Sequence, residues 1–165
     1  MKLSESQALH KLAAYCSKAE RCQSDVLKKM SAYELREDEV SRIMQRLIRE
    51  KFIDESRYAV AFAGDKTRFA KWGRRKIEFE LRKKKIPESI INCVLAEIET
   101  KQDPQILFDL LLKKNHSIKA NSVFERRTKL LRYALGKGYT LDESQSLVSK
   151  ILNSEEDEIC FESFD

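Results

Sequence analysis

RRKIEFELRKKKIPESIINCVLAEI, residues 74–98, carries the pattern that decides the fold. Its apolar residues Ile77, Leu81, Ile86, Ile91, Val94, Leu95 and Ile98 have the spacing of two short amphipathic helices joined by a turn. Stepping back 51 residues finds Val26, Met30, Leu35, Val40, Ile43, Met44 and Leu47. Stepping forward 53 finds Leu130, Ala134, Tyr139, Ser144, Leu147, Val148 and Ile151. Of these 21 positions 20 are apolar, Ser144 being the exception. At this composition chance would supply about nine. A period near 50 residues implies tandem modules and argues against a single catalytic cleft.

Composition agrees. Of 165 residues, 36% are charged, whereas Gly (four) and Pro (two) are scarce, which favours helices joined by short turns. The net charge of +5 is unevenly spread. All 32 Lys and Arg lie at or before Lys150, against 21 acids in that body, leaving it at +11; residues 155–165 carry six acids and no base. A basic helical body suits a polyanion or an acidic protein groove. The longest apolar run, Tyr58–Ala63, is too short to span a bilayer, and the first 20 residues lack a signal-peptide pattern, so a cytoplasmic protein with no membrane partner is expected. Cys16, Cys22, Cys93 and Cys160 form no CxxC pair and are expected as free thiols.

The expected fold is all-α: three tandem three-helix modules forming an elongated, curved right-to-left array. Residues 1–53 form the first module, 54–102 the second and 103–152 the third, with an acidic tail over 153–165. Ser4 with Gln7 reads as a capping box for the first helix. Asp54 caps the fourth, while Pro87 and Asp103-Pro104 open the sixth and seventh. Gly73 marks a tight junction, and Gly136-Lys137-Gly138 reads as a helix stop. The last helix is expected to end near Leu152. Beyond Asn153 no stable pattern is evident, although Ile159, Cys160, Phe161 and Phe164 could dock.

The densest basic segment, Lys66–Lys85, holds ten Lys or Arg against Glu78 and Glu80. With Ile77 and Leu81 facing inward, Arg74, Arg75, Lys76, Arg82 and Lys83 fall on the flanks or outside. Guanidinium forks suit phosphates and carboxylates, and Trp72 beside them suits stacking or packing. Arg126, Arg127, Lys129 and Arg132 occupy the matching helix of the third module. The expected polyanion or partner site is therefore Lys71, Trp72, Arg74, Arg75, Arg82, Lys83, Arg126 and Arg127. No GxSxG, Walker-type loop or HExxH motif is present. Asp54-Glu55 and Glu78-x-Glu80 diverge on a helix, and His10, Cys16 and Cys22 are poorly spaced for a metal. The residues point to a non-enzyme without cofactor.

Phe52-Ile53-Asp54-Glu55-Ser56-Arg57-Tyr58-Ala59, followed by Trp72-Gly73-Arg74 and the Ile77, Leu81, Ile86 spacing, resembles the RecX family, regulators of the RecA recombinase. The resemblance covers nearly the whole chain, from about Ala8 to Leu152, with the middle string the most specific part. It implies a monomer of tandem three-helix repeats that docks in the groove of the RecA–single-stranded-DNA filament. It further implies that filament recombinase, ATPase and co-protease activities are modulated, mainly inhibited, with consequences for DNA repair, homologous recombination and the SOS response. Single- or double-stranded DNA is a second expected partner. The competing expectation is an independent helical DNA-binding protein making non-specific backbone contacts, because Lys and Arg dominate the exposed helices. The acidic tail departs from the family core.

Overall fold

The computed structural model describes residues 2–162, with side chains for residues 2–154. It is helical throughout, with no strand among the described residues. The helices are α1 (Glu5–Lys18), α2 (Gln23–Met30), α3 (Glu37–Arg49), α4 (Glu55–Arg68), α5 (Arg74–Lys83), α6 (Glu88–Lys101), α7 (Pro104–Ser117), α8 (Val123–Lys137) and α9 (Leu141–Glu162). Among the described residues no helix is long and apolar enough to cross a membrane.

Caps set most of these boundaries. The Ser4 hydroxyl accepts from Gln7 N while Gln7 Oε1 accepts from Ser4 N, closing the capping box of α1. Asp54 Oδ1 accepts from Arg57 N at 2.9 Å, and Asp103 caps α7 with Pro104 in its first turn. Thr140 and Glu143 exchange the same pair of bonds at the start of α9. Gly138, at φ +96°, ends α8 in the left-handed conformation. Nothing comparable ends α9 at Leu152. That helix continues to Glu162, ten residues past the expected end. No Gly or Pro follows Gly138, and Glu is a good helix former, so losing apolar periodicity does not stop the helix. The docking of Ile159, Cys160, Phe161 and Phe164 lies outside the described residues.

The repeat is present in both burial and backbone. Val26, Ile77 and Leu130, the equivalent first positions, are all fully buried. Ser144, the polar exception, is also fully buried, and its hydroxyl donates to Thr140 O at 2.6 Å, so the helix itself satisfies it. Directly before Leu35, Ile86 and Tyr139, the residues Glu34, Lys85 and Gly138 all have positive φ, at 53°, 60° and 96°. The same left-handed step thus recurs with the same 51- and 53-residue offsets as the apolar template. It turns the chain so that the next apolar residue drops into the core.

The chain divides into two compact units, Met1–Asp65 with Glu78–Ala96, and Lys66–Ile77 with Glu97–Asp165. In the first, α3 packs on α1 and α2 around Leu12, Val26, Met30, Ile43, Leu47 and Ile53. Leu81, Ile86, Ile91 and Leu95 are buried in the same unit. In the second, α7, α8 and α9 pack mutually around Leu107, Leu111, Leu130, Ala134, Val148 and Ile151. Cys16 and Cys22 are buried free thiols and Cys93 an exposed one.

Candidate polyanion-binding site

The site begins where two glycine-containing turns of the second unit meet. Lys71, at φ +55°, turns the chain after α4, and Trp72 N bonds back to Lys66 O at 3.1 Å. Gly73 N then donates to Lys137 O at 2.8 Å, and Arg75 N to Gly138 O at 3.1 Å. A Cβ on Gly73 would lie 2.5 Å from Gly138 O, and one on Gly138 would lie 2.6 Å from Lys76 N. Gly73 is therefore required for close backbone approach, since its φ is not positive, whereas Gly138 is required for both approach and conformation. Tyr139 completes the joint by donating its hydroxyl to Lys71 O at 3.1 Å. Burial, assisted by Glu143 and Tyr133, pushes this phenol up to about 12, so it remains a donor near neutral pH.

Around this joint stand lysines held by dipoles and rings. Lys66 Nζ and Lys76 Nζ lie 4.9 and 4.5 Å from the centre of the half-buried Trp72 ring. Lys76 Nζ also donates to Gly136 O at 3.1 Å, and Lys137 Nζ to Ala70 O at 3.2 Å. Backbone carbonyls orient the Lys76 and Lys137 ammonium groups without cancelling their charge. Trp72 thus organises cations, and the ring that sequence reading offered for stacking already carries two of them.

The expected site residues divide between the units. Lys71, Trp72, Arg74 and Arg75 belong to the joint in the second unit. Arg74 is paired with Glu99, whereas exposed Arg75 has no ion-pair partner among the described residues. Arg126 and Arg127 are in the same unit but bind inward. Arg126 Nη1 donates to Asn115 O and Oδ1, both at 3.0 Å, closing the end of α7, and Arg127 Nη2 reaches Ser149 Oγ at 2.8 Å. Arg82 and Lys83 fall in the first unit. Arg82 lies between Glu78 at 2.7 Å and Glu88 at 2.5 Å, and its hydrogen bond holds the Glu88 carboxyl below the usual range despite some desolvation. Lys83 is exposed and has no ion-pair partner among the described residues. The roles of Lys137 and Tyr139 escaped sequence reading. Their signal was the Gly136–Gly138 turn, which read only as a helix stop. Among the described residues no group of three or more His, Cys, Asp and Glu is placed to hold a metal.

Residues 54–95, which span α4, α5 and most of α6, match the family model described as RecX, second three-helix domain. Over these residues the chain carries the second three-helix domain of the RecX family. It is 27% identical over 140 residues to the regulatory protein RecX of Clostridium perfringens (strain 13 / Type A), covering 84% of this chain and 65% of that one. It is 26% identical over 137 residues to the regulatory protein RecX of Clostridium beijerinckii, covering 82% and 63%. The chain thus spans a little under two thirds of these relatives. Among solved structures, RecX from Lactobacillus salivarius superimposes with a TM-score of 0.73 at 21% identity, over 89% of this chain and 96% of that one. A second regulatory protein RecX gives 0.79 at 23%, over 87% and 72%. At those identities the RecX structures share the fold.

Proposed function

We propose that this RecX-like protein binds the filament that a RecA recombinase builds on single-stranded DNA and restrains it. Recombinase, ATPase and co-protease activities all fall as a result. The protein works as a cytoplasmic monomer by binding alone, without a catalytic step or cofactor. The RecX resemblance supplies the class of partner. The observation that carries the reading is the joint around Trp72, where Lys76 and Lys137 are fixed by backbone carbonyls and so keep their charge for an outside partner. Successive contacts along a filament multiply by effective concentration, so individually weak charge pairs suffice.

The test is to add the purified protein to a recombinase on single-stranded DNA and follow ATP turnover and strand exchange. Both should slow at near-stoichiometric protein, with the DNA left intact. Unchanged turnover and exchange at excess protein overturn the proposal and favour an independent DNA-binding role.

A further inference from the structure

The helices run as triads, α1–α3, α4–α6 and α7–α9, and the middle helix of each triad starts in its own way. The first backbone donors of a helix lack partners within it and need acceptors from elsewhere. The start of α8 supplies its own. Ser122 Oγ accepts from Glu125 N at 3.1 Å, and Glu125 Oε2 accepts from Asn121 N at 2.8 Å. The starts of α2 and α5 do not. Cys22, at the N-cap of α2, makes no side-chain capping bond, and Gly73, just before α5, has no side chain to make one. Each helix instead draws acceptors from the triad that follows. Gln23 N donates to Glu55 Oε1 of α4 at 2.7 Å. Gly73 N and Arg75 N donate to Lys137 O and Gly138 O at the end of α8.

These two caps differ in stiffness. At α5 the acceptors are backbone carbonyls held in place by the Gly73–Gly138 approach, and a carbonyl has no rotamer through which to leave. At α2 the acceptor is one carboxylate on a flexible side chain, and the ties beside it are side chains too. Arg57 Nε meets Glu20 Oε1 at 2.6 Å, and Lys84 pairs with Asp25, which also accepts from the Cys22 thiol at 3.2 Å. The Arg57 and Glu20 side chains are 44% and 32% exposed, so water competes for that pair. Burial pushes the Glu55 carboxyl up, against the bond from Gln23 N, and the nearby Asp25 and Asp54 carboxylates add to the rise. The ionised cap is therefore held under tension. All of these α2 ties lie in the first unit.

We propose that Glu55 is a catch between the first two triads: when it leaves Gln23 N, α1–α3 loosen from α4 while the cap on α5 stays closed. Glu55 and Arg57 belong to the Phe52–Ala59 string, so that string acts backwards along the chain as well as starting α4. The dependence runs in one direction. Opening the catch removes an acceptor from α2, whereas the bonds that start α5 and α8 draw nothing from α1–α3. Local opening of this kind belongs to segments tied by few, partly exposed bonds. A yielding first joint lets α1–α3 adjust to a partner while the second unit stays as built. The proposal concerns how the triads are held and stands whatever the partner is.

The experiment is native-state deuterium exchange of the full chain, with iodoacetamide labelling of Cys22 read by peptide mass. Cys22 is fully buried, so its labelling reports opening. Glu55→Ala should speed both exchange over Gln23–Met30 and labelling of Cys22 about fivefold, the effect of losing one helix cap, and leave α7–α9 unchanged. Glu55→Gln keeps an acceptor oxygen for Gln23 N and should change either rate less than about twofold. Arg57→Ala, at an exposed position, removes the neighbouring tie and should raise both rates about twofold. Ser122→Ala should speed exchange at the start of α8 and leave α2 and Cys22 as they were. Unchanged α2 exchange in Glu55→Ala overturns the proposal. An equal rise across α1–α3 and α7–α9 does so too, because that is unfolding of the whole chain. A Gln variant as fast as the Ala variant also overturns it, because the bond to Gln23 N is then not the tie.

Discussion

At the N-terminal end of α5, Lys76 rests on the Trp72 ring and on Gly136 O, a carbonyl 60 residues away; at the C-terminal end, Arg82 lies between Glu78 and Glu88. The two ends have similar Lys and Arg content. At the C-terminal end the i,i+4 partner Glu78 is on the same helix, so charge is neutralised locally. One residue past the helix, Lys84 is also consumed, by an ion pair with Asp25 of α2. Toward the N-terminal end the acid Glu99 holds Arg74, but Lys76 sits on the Trp72 ring and the Gly136 carbonyl. A basic run therefore specifies total charge, and the acceptors around it decide how much remains for a partner.

The largest expected effect comes from breaking the N-terminal joint itself. Gly73→Ala should cost about 3 kcal/mol, because its Cβ meets backbone that has no rotamer escape. Gly64→Ala, where nothing lies within 4 Å of the new Cβ, should instead stabilise by about 0.5–1 kcal/mol, since a helix interior disfavours Gly. Denaturant melts of the two variants check this; similar losses would mean that the Gly73–Gly138 approach is not limiting.

The next effect lies at the other end. Lys84→Met leaves Asp25 as a partly buried carboxylate without its cation and should cost about 1–3 kcal/mol at neutral pH. Burial alone would raise the Asp25 pKa, but hydrogen bonds from Lys84 and Cys22 outweigh it and hold the carboxyl below its usual value. A depressed pKa gives stability that is full above the unfolded value, about 4, and is lost as pH falls through the folded one. Acid should therefore destabilise the wild type more steeply than Lys84→Met. Glu55 opposes this trend, because burial raises its pKa and its cost develops as pH rises through the carboxylate range. Melting temperatures between pH 2 and 7 should show the two chains converging in acid, and parallel curves would contradict the ion pair.

A smaller effect separates the ends in binding. Lys71→Glu with Arg75→Glu should weaken filament association about tenfold, through lost contacts of ~0.2–1 kcal/mol each plus repulsion. Arg82→Glu with Lys83→Glu should cost about threefold or less, since one of its two charges is already neutralised. Co-sedimentation with filaments measures both, and the reverse order would place the contact face at the C-terminal end. Smallest of all, Ser144→Ala should change stability by about 1 kcal/mol or less and leave binding untouched, because it removes one local hydroxyl bond inside a helix.

Much of the fold was legible because its determinants are local. Ile77, Leu81 and Ile86 define one helix and its plug by spacing alone, and Ser4, Asp54 and Pro104 mark helix starts with atoms that act within three residues. The 51- and 53-residue offsets were readable for the same reason, since each module repeats one local pattern. The end of α9 was less legible, because absence of an apolar stripe removes packing without removing helix propensity. The candidate site was legible as composition and not as geometry. Sequence placed ten cations between Lys66 and Lys85 but could not show that Arg82 and Lys84 are consumed by acids, or that Arg126 binds inward to Asn115. Nor could it join Lys76 to Gly136, Lys137 to Ala70 or Tyr139 to Lys71. Side-chain periodicity is a property of neighbours along the chain, whereas a cation's availability depends on acceptors that only folding brings within about 3 Å.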